Sequence, residues 1–343
     1  MKKNFIFLLN KNILKFFFIL INAIFHLIII NFFVDSNMTL FHKYNFGKMK
    51  IHLEYGIILI IIKINKSKEL KVCLCTIGKK ENLYASEFVE HYKKIGYDKI
   101  FIYDNNNIGD EKFEDVLTNQ ISNKFVEIIN YRGYRGKRQS PQSDAFIDCY
   151  EKNKNNYDWL SFFDFDEFLE LNKSRNIKEY LSNKQFKKCA NIKINWLMFS
   201  DNNLLYYKNI SLQERFTTPL YHDYANIIIK STVRGNLKFN YWRSMNNPHS
   251  SSNYLRACNS MGNITDSTTF YSSPYNHENS YLKHYPTKTI EEYCNKIKRG
   301  RADLLIKLDN KTLENYFNYF FERNKKTKNK IEYFKKTFNF SIS

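Results

Sequence analysis

The sequence lacks the glycine-rich signatures of two common nucleotide-binding folds. No Gly-x-Gly-x-x-Gly follows the first predicted strand, and no Gly-x-x-x-x-Gly-Lys-Ser/Thr occurs anywhere in the 343 residues. A Rossmann dinucleotide fold and a P-loop nucleotidase are therefore disfavoured, because both hold phosphates with such loops. Internal repeats are absent as well, so the chain does not read as a repeat protein. Phosphate binding, if it occurs, requires another device, such as a metal held by carboxylates.

Cysteine is sparse and forms no metal-binding pattern. There is no Cys-x-x-Cys pair, and no histidines cluster at zinc spacing. We therefore expect neither a structural zinc site nor a disulfide framework. Cys73 and Cys75 fall on one face of a predicted buried strand, where free thiols behave as small apolar groups. The remaining cysteines are Cys149, Cys189, Cys258 and Cys294.

The charge balance is strongly basic. The formal net charge is +19 and the pI is near 9.4, which suits nucleic acid, acidic lipid or nucleotide phosphates without choosing among them. Aromatic residues make up 17% of the chain, enough to build a real core. The length allows one large domain with additional segments.

Residues 1–68 are predicted to form a hydrophobic membrane-anchor and linker region. Residues 16–33 are apolar apart from Asn22, His26 and Asn31, and with the residues just before them they are long enough to span a bilayer. Flanking lysines favour a cytoplasmic N-terminus, and the lack of a small-residue cleavage site favours a retained anchor. We expect a single-pass membrane protein, with the side of the following domain left open. Translation from Met38 or Met49, without the anchor, is the alternative.

From residue 69 onward the pattern is that of a compact α/β domain. A strand, a helix that stops at Gly96 and a second strand make a βαβ unit, whose strands should be parallel neighbours. We predict a mostly parallel central sheet with flanking helices, in which the last two predicted strands extend the sheet with mixed direction. A further helix is predicted to begin with a capping box formed by Thr289 and Glu292. The predicted strands cover residues 71–76, 99–103, 125–131, 159–165, 190–199 and 225–233, and the predicted helices include residues 83–95 and 143–151.

Polar side chains follow several of these strands. Thr76 and Asp104 end the first two, and Arg132 and Arg138 lie in the loop after the third. Ligands of open α/β sheets bind outside such carboxyl ends. A base or ribose could meet Thr76 and Asp104, and a diphosphate could meet the arginines and the acidic pair that ends the fourth strand. A solvated basic surface turn is the alternative for the arginine loop.

The strongest local signal is an acidic group at the end of the apolar stretch 159–171. In a strand, Asp164 and Asp166 would point to the same side with Phe165 buried between them. Such a pair suits a hard divalent cation, Mg²⁺ or Mn²⁺. An acidic surface turn is the alternative, but the surrounding phenylalanines favour a position at the rim of a packed sheet. Glu167, the next residue, would either orient a metal-bound water or cap the segment that follows.

Six motifs in order resemble the GT-A type glycosyltransferases of the family 2-like and family 92 group. The resemblance covers residues 70–303. The motifs are Lys80-Glu81-Asn82-x-Tyr84, Ile102-Tyr103-Asp104-Asn105-Asn106, Tyr131-Arg132-Gly133, Asp158-Trp159 with Phe165-Asp166-Glu167-Phe168, Asn195-Trp196-x-x-Phe199, and Lys283-His284-Tyr285-x-Thr287-Lys288-Thr289-x-Glu291-Glu292-Tyr293.

The resemblance implies a GT-A fold and a metal-dependent enzyme of hexosyltransferase type that uses a nucleotide-diphosphate sugar. Asp164 and Asp166 would hold Mn²⁺ or Mg²⁺, Asp104 would contact the nucleoside, and His284 would be a further metal or phosphate ligand. A hydrogen-bonded turn residue is the alternative for His284. The acceptor would be a glycan or a lipid-linked molecule, as in surface polysaccharide synthesis, and nucleic acid is not an expected partner.

We expect inversion at the anomeric carbon, which requires a general base near the acceptor hydroxyl. Asp201, Glu214 and His249 are the candidates, and the sequence does not choose among them. The expected organisation is an anchor region at 1–68, a transferase domain at 69–303 and a basic aromatic helical tail at 304–343. A basic nucleic-acid- or membrane-binding module without catalysis, and a metal-dependent phosphoryl transferase, are the alternative functions.

Overall fold

The computed structural model describes residues 69–134, 140–237, 256–300 and 308–340. In this part of the chain the strands join into one ten-stranded sheet. The predicted anchor at residues 16–33 lies outside the described residues. None of the helices in the described ranges has both the length and the hydropathy that a bilayer span requires.

The strands pair in the spatial order β3-β2-β1-β4-β7-β6-β10-β5, and β8 pairs with β6 and β9. Their bounds are β1 Val72–Gly78, β2 Lys99–Asp104, β3 Val126–Asn130, β4 Trp159–Phe162, β5 Glu167–Leu171, β6 Asn191–Met198, β7 Ile229–Arg234, β8 Ala257–Asn259, β9 Ile264–Thr265 and β10 Ser280–His284.

Helices connect and flank these strands, with short 3₁₀ turns at Phe113–Asp115, Lys184–Phe186 and Tyr224–Ile227. The α-helices are α1 Asn82–Lys94, α2 Thr118–Ser122, α3 Pro141–Asn153, α4 Ile177–Ser182, α5 Leu212–Arg215, α6 Ile290–Arg299, α7 Asn310–Arg323 and α8 Lys328–Phe338.

The first four strands are parallel, as predicted. β1 lies between β2 and β4, and β3 lies outside β2. Gly78 pairs with Asp104, and Asp104 pairs with Asn130, so β1, β2 and β3 end in the same row. The loops after these strands therefore emerge side by side at one edge of the sheet, where α/β proteins bind ligands.

Alternation along β1 explains why helices cover both faces of this half of the sheet. Val72 and Leu74 pack into a core with Phe88 of α1, while Cys73 and Cys75 pack into a second core with residues of α3. Successive strand residues point to opposite faces, and here both faces are apolar. The α/β class is confirmed, and the two thiols are buried and free, as expected.

The second half of the sheet is mixed in direction, also as predicted. β7 is antiparallel to β4 and β6, while β10 is parallel to β6 and antiparallel to β5. One boundary differs: the strand predicted over 159–165 ends at Phe162, and a turn leads into β5 at Glu167. The acidic pair therefore lies in a connection between two strands that occupy different places in the sheet.

The expectation of no disulfide was wrong. Cys189 and Cys258 are bonded, with their Cα atoms 5.8 Å apart, and both are 1% exposed. The pairing of β8 beside the start of β6, Asn191 opposite Ala257, brings them together. The two cysteines are 69 residues apart, so no local spacing in the sequence signals the bond.

The C-terminal helices pack against α6 through aromatic side chains. Phe317 and Phe320 of α7 and Phe334 of α8 are buried in a cluster with Tyr293 and Ile297 of α6. Helix α6 begins with the predicted capping box, in which Thr289 and Glu292 each accept a hydrogen bond from the other's backbone amide. This cluster fixes α6 from its outer side.

Gly78, at the end of β1, leaves room for two aromatic rings. The Phe113 and Phe165 rings stack with centroids 5.2 Å apart and an interplanar angle of 5°. A Cβ on residue 78 would lie 2.6 Å from an atom of each ring. Because Phe165 sits between the two acids, this close approach helps to fix the acidic turn.

Gly78→Ala is expected to lower the free energy of unfolding by ~1–3 kcal/mol, because two packed rings must move to admit a methyl group. Urea denaturation followed by circular dichroism measures the change. Adding Phe113→Leu to Gly78→Ala should recover part of the loss, since the smaller side chain makes room. A Gly78→Ala protein as stable as the parent contradicts this account of the packing.

Candidate active site

The acidic turn, residues 163–166, joins β4 to β5 at the carboxyl edge of the parallel strands. Phe165 is buried, as predicted. The prediction that Asp164 and Asp166 point the same way along a strand was wrong, because the strand ends before them. In the turn the two carboxylates meet different cations: Lys230 contacts Asp164, and Lys296 contacts Asp166.

Asp164 is held by two polar side chains. Lys230 Nζ lies 2.6 Å from Asp164 Oδ2, and Gln142 Nε2 donates to Asp164 Oδ1 at 2.8 Å. Glu167, fully buried, accepts a hydrogen bond from the Asp164 amide and lies 3.4 Å from Lys230. Burial opposes the charge on Lys230, but Asp164 and Glu167 together raise its pKa. Burial also raises the pKa of Glu167, with Lys230 opposing it.

Asp166 faces a basic group contributed by the segment 284–296. Lys296 Nζ donates to Asp166 Oδ2 at 2.8 Å, and Lys288 Nζ lies 3.9 Å from the same oxygen. Burial alone would raise the pKa of Asp166, but Lys296 and Lys288 hold it well below its usual range. Burial lowers the pKa of Lys288, with Glu81 and Asp166 opposing that effect. The carboxylate is therefore ionised at neutral pH.

His284 ends β10 next to this carboxylate. Its Nε2 lies 3.7 Å from Asp166 Oδ1, and its ring lies against Trp196, with centroids 4.1 Å apart. Nδ1 is buried and has no hydrogen-bond partner in the described structure. Burial, opposed by Asp166, lowers the pKa of His284 to about 3, so the ring is neutral. The alternative, that His284 is a hydrogen-bonded turn residue, is wrong because His284 is the last residue of a strand.

The predicted divalent cation finds two suitable donors here. Asp166 Oδ1 and the neutral imidazole of His284 are ligand types that Mn²⁺ accepts. Asp164 does not join them, because both of its oxygens are bonded to other side chains. Within the described ranges, no three residues among His, Cys, Asp and Glu are grouped so as to hold a metal. Asp166 and His284 therefore fit a cation, and Asp164 fits only if it leaves Lys230.

Asp104 and Arg132 are brought together at the ends of β2 and β3. Arg132 Nη2 lies 2.8 Å from Asp104 Oδ2, and the guanidinium also donates to backbone carbonyls of residues 107, 110 and 111. Beside them is an open cleft of about 470 Å³, lined by Asn130, Tyr131, Arg132, Gly133 and Tyr134. The two residues predicted for nucleoside and diphosphate thus pair with each other, next to a cleft.

Thr76, predicted to meet a base or ribose, does not end its strand. Thr76 is fully buried inside β1, which continues to Gly78, and its hydroxyl has no hydrogen-bond partner in the described structure. The expectation that it ends the strand was wrong, because two further residues pair with β2. Arg138 and His249 lie outside the described residues.

The two described candidates for the general base have partners elsewhere. Asp201 is 1% exposed, and its Oδ2 lies 2.5 Å from Lys330 of α8. Burial raises the pKa of Asp201, and Lys330 opposes this. Glu214 accepts a hydrogen bond from Ser211 at the start of α5. Asp201 therefore joins α8 to the sheet, and Glu214 caps a short helix.

Sequence reasoning missed the lysines that face the acids. Lys230 is 1% exposed and is the second residue of β7, and a lysine directly after an apolar run in a predicted strand is the signal that could have revealed it. Lys296 and Arg299 are three residues apart on α6, so they share one side of the helix. Arg299 donates to the carbonyls of Lys79 and Lys80 and pairs with Glu81. Helix α6 thus holds both the loop after β1 and the acidic turn.

Comparison with known proteins gives a family match along most of the chain. The model of glycosyltransferase family 92 matches residues 68–339. A family 92 protein of Oryza sativa subsp. japonica is 27% identical over 122 residues, which are 36% of this chain and 20% of that protein. A family 92 protein of Ricinus communis is 26% identical over 117 residues, which are 34% and 20%. The matched region spans about a fifth of the length of these curated relatives.

Solved structures give a weaker likeness. A mannosyltransferase from Pyrobaculum calidifontis, described in complex with GDP-Man and Mn²⁺, has a TM-score of 0.27 and 9% identity, covering 37% of this chain and 36% of its own. S. aureus TarS has a TM-score of 0.28 and 10% identity, covering 40% and 23%. Similarity at this level assigns no residue role. The glycosyltransferase resemblance drawn from the sequence motifs is confirmed by the family match.

Lys230→Met is expected to lower the free energy of unfolding by ~3 kcal/mol, because it leaves Asp164 and the buried Glu167 without their cation. Chemical denaturation at neutral pH measures the effect. The double variant Lys230→Met with Glu167→Gln should lose less than the two single variants added together, which shows coupling. Strictly additive losses would mean that the lysine and the glutamate do not interact.

Proposed function

The chain belongs to glycosyltransferase family 92, and we propose that it transfers a sugar from a nucleotide-diphosphate donor to a hydroxyl of a glycan or lipid-linked acceptor. The observation that carries the proposal is the buried Asp166 carboxylate, placed beside neutral His284 and two lysines at the carboxyl edge of the sheet. In the reaction the acceptor oxygen bonds to the anomeric carbon, and the bond to the diphosphate breaks. The diphosphate leaves with negative charge that the site must stabilise.

We further propose that transfer depends on Mn²⁺ or Mg²⁺, held by Asp166 and His284. A divalent cation supplies positive charge to the leaving diphosphate. Asp166 is kept ionised by its lysines, and His284 is kept neutral by burial, so both are in the protonation state that a metal ligand needs. Gln142 and Lys230 fix Asp164 beside them.

The acceptor proton passes to a base if the reaction inverts the anomeric carbon, as we propose. Both carboxylate oxygens of Asp201 already have partners: one pairs with Lys330, and the other accepts a hydrogen bond from the Asn203 amide. Glu214 is bonded to Ser211. Among the proposed bases, His249 is the candidate whose surroundings lie outside the described residues.

We propose that the hydrophobic segment 16–33 anchors the protein as a single-pass membrane enzyme with its domain on the non-cytoplasmic side. The lysines before the segment favour a cytoplasmic N-terminus. Disulfides persist in oxidising compartments, and the buried Cys189–Cys258 bond supports the same side. This topology requires the nucleotide-sugar donor in that compartment.

Asp166→Asn is expected to reduce turnover by about 10²–10³-fold, because it removes the negative charge that holds the cation. It should also abolish the Mn²⁺-dependent part of nucleoside diphosphate binding. Calorimetric titration of the full chain in detergent, with UDP first and other nucleoside diphosphates after it, with and without Mn²⁺, measures binding. Glu179→Gln, at an exposed helix position, is the matched control. Unchanged Mn²⁺-dependent binding by Asp166→Asn removes the metal role.

The topology is tested in sealed membrane vesicles whose cytoplasmic face points outward. Added protease should leave the domain intact until detergent opens the vesicles. Non-reducing peptide mapping of the same material should recover Cys189 and Cys258 in one linked fragment. Degradation of the domain in sealed vesicles, with both thiols free, would place it in the cytoplasm.

A further inference from the structure

Two lysines lie beside the same oxygen of Asp166, and they differ in how closely they approach it. Lys296 Nζ and Lys288 Nζ approach the same oxygen, at 2.8 Å and 3.9 Å. The neighbouring cations have partners of their own: Arg299 pairs with Glu81, and Lys230 pairs with Asp164. Lys288 is therefore the cation of this group whose nearest paired carboxylate oxygen lies beyond hydrogen-bond distance, in a place where burial makes charge costly.

Lys288 is the residue with unused hydrogen-bonding capacity. It is 5% exposed, and its ammonium lies 4.3 Å from the centroid of the Tyr84 ring. An ammonium has three donors, yet among the described residues the structure gives Lys288 Nζ no hydrogen-bond acceptor. Lys296 uses two of its donors, on Asp166 and on the carbonyl of Pro286. The ammonium groups of Lys288 and Lys296, both beside Asp166, thus have N–H donors without hydrogen-bond acceptors in the described part of the chain.

The backbone holds Lys288 in an uncommon conformation. Its φ is 53°, in the left-handed region that non-glycine residues seldom adopt. The neighbours on both sides are fixed: the Thr287 hydroxyl accepts a hydrogen bond from Asn324, and Thr289 caps α6. Strain of this kind persists where the surrounding structure enforces it, and it concentrates at functional sites.

We propose that Lys288 and Lys296 form a diphosphate-binding site, whose ammonium groups donate hydrogen bonds to phosphate oxygens of the sugar donor. This rests on the proposed function and adds to it a contact that needs no divalent cation. Phosphate oxygens supply the hydrogen-bond acceptors that Lys288 lacks. The side chain of Lys296 is 33% exposed, so the site opens to solvent on that side.

Arg299 is not part of this site. Its guanidinium donates to the carbonyls of Lys79 and Lys80 and to Glu81, so its donors are already used in holding the loop after β1. Replacing it would disturb that loop. The two lysines are therefore the residues to test.

The test is calorimetric titration of the full chain in detergent with inorganic pyrophosphate, in the presence of EDTA. The parent protein should bind, and Lys288→Met should weaken binding by at least about tenfold, as expected for loss of a charged hydrogen bond. Lys288→Arg should keep part of the affinity. Lys178→Met, which removes a lysine paired with Asp98 on the surface, should bind as the parent does. Equal binding by the parent and Lys288→Met overturns the proposal.

Thermal denaturation separates this role from a structural one. Lys288→Met should unfold at the same temperature as the parent or higher, because methionine in this place needs no hydrogen-bond partners. A lower unfolding temperature, with pyrophosphate binding kept, would make Lys288 a structural partner of Asp166 and overturn the proposal. If Lys288→Met does not fold, Lys296→Met serves instead: weakened binding supports the site, and unchanged binding overturns it.

Failure of the proposed function has a different signature. If the parent binds pyrophosphate and Lys288→Met does not, but the parent transfers no sugar from any nucleotide donor, the anion site is supported and the proposed glycosyl transfer is overturned. If Lys288→Met still transfers sugar with an unchanged KM for the donor, the anion site is overturned and the transferase activity is supported.

Discussion

The buried Asp166 carboxylate joins the two ends of the domain. It lies in the turn after β4, and its partner Lys296 comes from α6, 130 residues later. A carboxylate removed from water requires cations close by, so α6 must lie across the carboxyl edge of the sheet. The rest of the helix follows from that position: Glu292 pairs with Arg215, and Arg299 holds the loop after β1. The aromatic contacts of α7 and α8 then fix α6 from outside.

The other acids at this edge follow the same rule with different partners. Asp104 pairs with Arg132 of the loop after β3, and Asp164 pairs with Lys230 of β7. Each pair crosses between elements that are distant in sequence, so each one also fixes the position of a loop. Asp166 differs from these two acids because two lysines approach one of its oxygens, and only Lys296 lies within hydrogen-bond distance of it.

Sequence reasoning succeeded where local pattern determines structure. The βαβ unit, the third strand and helix α6 with its capping box all arise from short-range periodicity and caps. It failed where pairing between distant segments decides the structure. Residues 159–165 were predicted to form one strand, but β4 ends at Phe162, and a separate strand that begins at Glu167 pairs with β10. Lys230 and the Cys189–Cys258 bond depend on which strands become neighbours, and nothing in their own segments specifies that. His284 was found through a family motif, since a single histidine in a strand has no distinguishing periodicity.

The two oxygens of Asp166 face different surroundings, and this difference organises the proposed chemistry. Oδ1 faces His284, a neutral nitrogen donor, while Oδ2 faces two ammonium groups. A cation beside Oδ1 and the lysines beside Oδ2 would place positive charge on both sides of one carboxylate. Under the proposed mechanism, the diphosphate would supply negative charge to both positions. Since burial and Lys296 fix this carboxylate, the two positions would restrict the orientation of the proposed donor, which is what positions reacting groups in a transferase.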